Sequence, residues 1–447
     1  MAEAPARGAG ERAAPVLTHR RILRIAGPIV LSNATVPLLG AVDVAVVGQM
    51  GEAAPIGAVG VGAVILASLY WMFGFLRMGT SGLAAQAHGA GDGAERSAVL
   101  IRALAVGAAA GLSFVILQGA LFALAFRIAP ASDAVEGLAR QYLAIRVWGA
   151  PATIALYAVE GWLIATERTR AVFAVQVWKN GINLLLDLWF VLGLGWGVQG
   201  VAAATLLAEW TGLGLGLWAC RDALGRSVLP GRARLLDRAR LARMFAVNRD
   251  IMIRTVALQA CFTAFVFLGA RFGDVTLAAN QVLLQFLEIT AFALDGFAFA
   301  AESLVGQAVG ARSATAVRRA AAMTGRWGAG GALVLSALFL LAGPAMIDLM
   351  TTAGEVRAEA RLFLWWIVAA PVLGVAGWMF DGIFIGATLT REMRNAMLVS
   401  VALYALALGI LLPGFGNHGL WASLMVLNLA RAFTMALHYP RAERAAA

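Results

Sequence analysis

Apolar runs of 20 to 28 residues, separated by short charged, glycine-bearing or proline-bearing stretches, recur twelve times along the chain. A helix needs ~20 such residues to cross a bilayer. The pattern therefore predicts an all-α integral membrane protein with twelve transmembrane helices near 22–48, 56–80, 99–126, 140–165, 171–194, 198–219, 250–271, 276–302, 322–347, 362–388, 394–413 and 418–438. No stretch between them is long enough for a separate soluble domain, so an ATPase or kinase would have to be another chain.

Composition agrees. Of 447 residues, 61% are hydrophobic and only 13% charged, against roughly 25% charge in soluble domains. The net charge of +10 reads as topology rather than nucleic-acid binding, because its placement is lopsided. With the N-terminus inside, 24 basic residues fall in inner segments and five (Arg127, Arg140, Arg271, Arg357 and Arg361) outside. Both termini are therefore expected to be cytoplasmic, in a multi-pass inner (plasma) membrane protein. The expected division is a cytoplasmic tail 1–21, an N-lobe 22–219, a basic cytoplasmic linker 220–249 touching lipid headgroups, a C-lobe 250–438 and a tail 439–447.

The two lobes resemble each other. LAAQAHGAG from Leu83 recurs as LVGQAVGAR from Leu304, setting Gln86 over Gln307 and Gly89 over Gly310. EGWLIATERTR from Glu160 recurs as DGIFIGATLTR from Asp381, and GVQGVAAA from Gly197 as GNHGLWAS from Gly416. Three matches in one order at an offset near 221 residues indicate duplication. Six helices is an even number, so the repeats run the same way across the membrane, a secondary-transporter architecture.

Several chemistries are excluded or unsupported. Lys179 is the only lysine and Asn180 follows it, so no P-loop exists. Neither a metalloprotease helix nor a nucleophile elbow is present, and Cys220 and Cys261 have no partner spacing for a disulfide or zinc. The chain is expected to be no enzyme and to hold no metal or cofactor. The intramembrane acids carry the interest, since a charge at a helix centre is costly and marks function or pairing. Asp43 and Asp187 lie at matching depths, ~8–10 Å from the outer ends of helices 1 and 5. Asn183 is one turn from Asp187, and Thr205 in helix 6 is equally deep, with Glu209 one turn beyond. Asp43, Asn183, Asp187 and Thr205 form either a hydrated coupling pocket or polar glue between helices. Glu160 and Asp381, equivalent in the repeat, lie near inner helix ends and read as structural, gating or ion-binding groups. Glu288 and Asp295 share a face of helix 8 and read either as structural ion-pair partners of Arg431 in helix 12 or as a second coupling site. Pro28 and Pro37 permit a bend in helix 1. Trp148, Trp189, Trp196 and Trp421 suit the membrane interface, and Gly107, Gly111 and Gly212 suit close helix packing.

VDVAVVG at Val42, NGINLLLDLWFVLGLGWGVQGVAAAT from Asn180, FALDGFAFAAESLVGQAVGA from Phe292 and FDGIFIGATLTREMRNAM from Phe380 together resemble multidrug and toxic compound extrusion (MATE) transporters of the DinF-like branch. The resemblance implies a V-shaped two-lobe exporter driven by a cation gradient. It implies proton coupling at Asp43, Asn183, Asp187 and Thr205, and bending of helix 1 at Pro28. The sodium-coupled branch places an acid in helix 7, where residues 251–270 have none. The expected function is a proton-coupled antiporter, working as a monomer, that exports amphipathic and cationic organic compounds in drug resistance. Its rivals are a sodium-coupled drug exporter, a lipid or lipid-linked-sugar flippase, and an integral-membrane enzyme.

Overall fold

The structure, a computed structural model, describes residues 17–49, 53–128, 132–225 and 230–447, and the side chains of 36–41, 44, 53 and 128 are outside that description. Every described element is helical. The first half comprises α1 (His19–Gly48), α2a (Ala53–Trp71) and α2b (Gly74–Gly89), α3 (Gly93–Ile128), α4a (Asp133–Arg146) and α4b (Ala150–Ala165), α5 (Thr169–Asp187) and α6 (Gly197–Ala219). The second half comprises α7 (Arg238–Gly269), α8 (Asp274–Gly310), α9 (Ala314–Met350), α10 (Gly354–Gly386), and α11 and α12, which form one continuous run (Thr390–His438) broken at Gly416 (φ 53°). Among the described residues nine segments are long and apolar enough to cross a membrane, and one of them, 390–444, contains two crossings. The more polar α1 and α5 complete the twelve.

Duplication is visible in the backbone. α2b and α8 end at Gly89 and Gly310, α3 and α9 begin at Gly93 and Ala314, and α5 and α11 begin at Thr169 and Thr390. Left-handed residues recur at the same register: Gly91 with Arg312, Glu167 with Thr388, and Gly195 with Gly416. A residue with a side chain adopts positive φ only where its surroundings impose it. The turns, not merely the sequences, are therefore copies.

Helix ends depart from the hydropathy pattern. The expected 56–80 helix is two pieces, broken at Met72 and Phe73. The expected 140–165 helix begins earlier and carries a 3-10 turn at Val147–Gly149 before Pro151. α7 starts at Arg238, inside the expected linker. Within that linker Arg234 pairs with Asp92 at 2.9 Å, Arg240 pairs with Glu95, and Arg102 donates to the Leu235 carbonyl at 3.0 Å. The chain crossing between the halves is thus tied to α3, and these two arginines face protein carboxylates.

Small residues set the helix spacing. A Cβ at Gly111 would collide with the Pro151 backbone, and one at Gly107 would touch Ala155 at 3.0 Å, which holds α3 against α4b. At Gly212 the Lys179 stem fills the space. Trp148, Trp189 and Trp196 are exposed as expected, but Trp421 is fully buried. Its indole N–H donates to Asn280 at 2.9 Å, and its ring meets Phe265 edge-on. Position near a helix end therefore misplaced it: the Asn280–Asn417 amide pair provides the polar partner that a membrane interface otherwise would. Cys220 and Cys261 are buried and free.

The halves form the two lobes of a V and meet along the arginine-rich end of the molecule, called the basic end below. There α2b packs on α7, α8 and α10, and α8 packs on α1 and α4b, whereas α2a packs on α1, α4b, α5's neighbour α6 and α4a within its own lobe. Farther from the basic end, α1 crosses α8 where Gly296 admits Ala26 and Val30, and Asn33 donates to the Phe292 carbonyl at 3.1 Å.

Candidate functional site

α5 presents Gln176, Asn180, Asn183 and Asp187 at spacings of three and four residues, so they form one polar stripe. In an apolar helix each must find a partner. Gln176 donates to Asn180 Oδ1 (3.1 Å), Asn180 donates to the Thr35 carbonyl of α1 (3.0 Å), and Asn183 donates to Thr205 Oγ1 of α6 (3.1 Å). Thr205 in turn donates to the Val201 carbonyl at 2.9 Å. The stripe joins α1, α5 and α6 and ends at Asp187, where α5 passes into a π-helical turn, Leu188–Gly193. Such turns widen the helix and re-aim the flanking side chain.

Asp43 comes from α1 to the same point. Its carboxyl lies beside that of Asp187, with Asn183 next to both. Asp43 is 5% exposed, Thr205 2%, and Asn183 and Asp187 are fully buried. The structure brings these four residues together. Among the described residues no donor group reaches either Asp187 oxygen, Asp43 Oδ1 or Asn183 Oδ1. Two carboxylates can hydrogen-bond to each other only through a proton.

Arg146 lies next to them; it falls near the start of the expected 140–165 helix, and hydropathy gives no sign of the face it presents. It binds Glu209 at 2.7 Å, and its Nε donates to Tyr142 at 3.3 Å. Gly149 makes room, since a Cβ there would strike Glu209. Glu209 is therefore a counter-ion to Arg146, not a member of the acid pair. The pocket holds three acids and one base.

The other expected acids lie elsewhere. Asp381 is buried between Arg254 and Arg431, accepting from both on Oδ2, the latter at 2.7 Å. Arg431 is thus the partner of Asp381 and not of Glu288 or Asp295: helix counting gives depth along α12 but not which neighbour its face meets. Glu288 is exposed on α8 and Asp295 half-buried, with Arg77, Asp381 and Arg254 as the charges around it. Glu160 is half-buried with Lys179 and Arg77 as the charges around it. A further acid, Glu302, is 1% exposed and stands 3.5 Å from Arg77 of the other lobe. It is the last residue of the expected 276–302 helix, where position alone does not mark it as buried. Among the described residues no cluster of three or more acids, histidines or cysteines could hold a metal.

Pro28 leaves the Arg24 carbonyl without its helical donor, and the Thr169 hydroxyl of α5 donates to it at 3.2 Å. α1 runs on as one helix through this point. Pro37 falls among the side chains outside the description.

The MatE family model matches residues 28–207 and 251–411. The chain is 40% identical to the DNA damage-inducible protein F of Escherichia coli K12, over 95% of this chain and 92% of that protein. It is 28% identical to a probable multidrug resistance protein NorM of Pseudomonas aeruginosa, over 90% and 85% of the two chains. Among solved structures, the Vibrio cholerae MATE transporter VcmN in its bent form superposes with a TM-score of 0.84, at 18% identity over 96% of this chain and 97% of that one.

Proposed function

The chain belongs to the MatE family of efflux transporters, and on that premise we propose that it is a proton-coupled antiporter that exports amphipathic, often cationic, organic compounds, with its basic end and both termini in the cytoplasm of a bacterial-type cell. The observation that carries the proton reading is the Asp43–Asp187 contact. Arg146 is already matched by Glu209, so the two aspartates have no counter-ion of their own. Burying two adjacent negative charges is prohibitive, whereas one shared proton converts repulsion into a hydrogen bond. Loss of that proton drives the carboxylates apart, and the helices that carry them, α1 and α5, are the parts of the lobe that would move. Asn183 and Thr205 set the spacing by fixing α5 on α6.

A second reading has one observation in its favour. Asp43 Oδ1, Asn183 Oδ1 and both Asp187 oxygens are buried and unpartnered, and hard oxygen donors of this kind also suit sodium.

Purified protein in vesicles decides between them. Export of a fluorescent organic cation should follow an imposed pH gradient, collapse with a protonophore and be indifferent to ATP. Export driven by a sodium gradient at uniform pH would establish the second reading, and a requirement for ATP would end both. Orientation has its own test: a cysteine in place of Arg232 should resist an impermeant thiol reagent in intact cells and react after lysis. Labelling in intact cells would invert the topology.

A further inference from the structure

The segments Leu83–Gly91 and Leu304–Arg312 are the best-matched pieces of the duplication, and the ion pocket makes no use of them. In the fold they meet each other. Gly89 and Gly310 each lie so close to the opposite helix that a Cβ would strike the carbonyl of Gln307 or Gln86 respectively. Around this crossing two sets of contacts are made at the same register. Gln86 donates across the seam to the Gly386 carbonyl at 3.0 Å, and Gln307 donates to the equivalent Ala165 carbonyl at 3.0 Å. Each carboxamide oxygen then receives an arginine of the opposite lobe: Arg243 of α7 at 2.8 Å on Gln86, and Arg21 of α1 at 3.0 Å on Gln307. These arginines complete their bonds on the two left-handed turn residues, Arg243 on Thr388 at 3.1 Å and Arg21 on Glu167.

We propose that Gln86 and Gln307 are paired latches that hold the two lobes together at the basic end, and that both must release for the transporter to turn toward that side. Each glutamine uses its amide as donor and its oxygen as acceptor across the same seam, so the lobes cannot separate there without breaking both kinds of contact at both sites. The backbone carbonyls, arginines and turn residues of each latch belong to the lobe opposite its glutamine. The buried Arg77–Glu302 pair, also across the seam, does not lock it in the same way. It spans 3.5 Å, and neither Glu302 oxygen accepts a full hydrogen bond. Both charges regain water when the seam parts, which offsets what their attraction contributes to closure.

The inference rests on the chain being an alternating-access exporter but not on the ion that drives it, so its test is read without a gradient. Spin labels at Arg170→Cys and Arg391→Cys, both exposed and equivalent in the repeat, report the separation of the lobes at the basic end, while Cys220 and Cys261 stay buried. The otherwise native protein in lipid nanodiscs should give a short distance. Gln86→Ala with Gln307→Ala should lower the ratio of short to long distances at least about tenfold, as expected for losing several hydrogen bonds worth roughly 1 kcal/mol each, and each single variant should fall between. Gly89→Ala, with both latches intact, should shift the distribution the same way by steric force alone. Export should slow in the double variant while its driving ion stays the same. An unchanged distance distribution in the double variant and in Gly89→Ala, with folded protein confirmed by an unaltered melting profile, would overturn the proposal. So would a loss of export with no change in distance, which would make the glutamines merely structural.

Discussion

Asp43→Asn and Asp187→Asn should each bring proton-driven export down to the background of empty vesicles while leaving the amount of folded protein near normal. An amide has the shape of a protonated carboxyl and keeps its hydrogen bonds. It cannot release a proton. Either variant therefore holds the pair in its contracted arrangement, with the repulsion that would part α1 from α5 removed. Stability should be unchanged or slightly raised, because a buried like-charge contact has been relieved. Substrate should still bind, but its affinity should lose most of its dependence on pH, since proton and substrate act on each other through one conformational equilibrium. The measurement is a pair of titrations, export against imposed gradient and binding against pH, on both variants beside Glu209→Gln. That third variant strands Arg146 and should lose folded protein instead. Full export by either aspartate variant at normal expression would remove the acid pair from the mechanism.

Asp381→Asn should fail for a different reason. Asp381 sits between two guanidinium groups, Arg254 and Arg431, all three no more than 8% exposed. An amide leaves both cations buried without a counter-ion. Breaking a buried ion pair from one side costs about 3–5 kcal/mol, a large part of the 5–15 kcal/mol by which native proteins commonly exceed their unfolded states. The expected result is a sharply lower melting temperature in detergent and poor accumulation in the membrane, with near-normal export per folded molecule. Arg431→Met should be milder, because Arg254 continues to face the carboxylate. A variant Asp381→Asn that melts like the native protein yet cannot export would instead make this carboxylate part of the coupling machinery.

The contrast between these two aspartates shows where the sequence could be read and where it could not. Depth along a helix follows from counting residues, so Asp43, Asp187 and Thr205 can be placed at one level, with Asn183 one turn from Asp187 on its face. The direction in which a helix turns its face around the lobe does not follow from counting. Arg431 was accordingly assigned to the wrong acid, and Arg146 was left out of the pocket it borders. Helix ends were lost where the helix stays regular but ceases to be apolar. α3 begins at Gly93 and α7 at Arg238 because their first turns are polar, Glu95 of α3 pairing with Arg102 and with Arg240 of α7, which hydropathy cannot distinguish from a loop. The break at Met72 and Phe73 has the opposite character: both residues are apolar, and a lone Gly74 in an apolar run is the one local mark of it.

The hydroxyl that Thr169 places on the Arg24 carbonyl bears on how α1 can move. A pivot at Pro28 already lacks one helical hydrogen bond, and the orphaned acceptor is held by another helix. Swinging the outer part of α1 therefore ruptures no backbone bond at its fulcrum. The resistance comes from farther along, where Asn180 holds the Thr35 carbonyl. Treated as a rigid rod, α1 has an arm of ~10 Å from Pro28 to Thr35 and ~22 Å from Pro28 to Asp43, so a slip of ~1 Å at the Asn180 contact becomes ~2 Å at the carboxyl. That displacement is enough to take a hydrogen-bonded pair of oxygens out of range. In mechanical terms, an α1 that bent at Pro28 would have Asn180 as a brake near the fulcrum and the two aspartates as the load at the tip, where small motions are amplified.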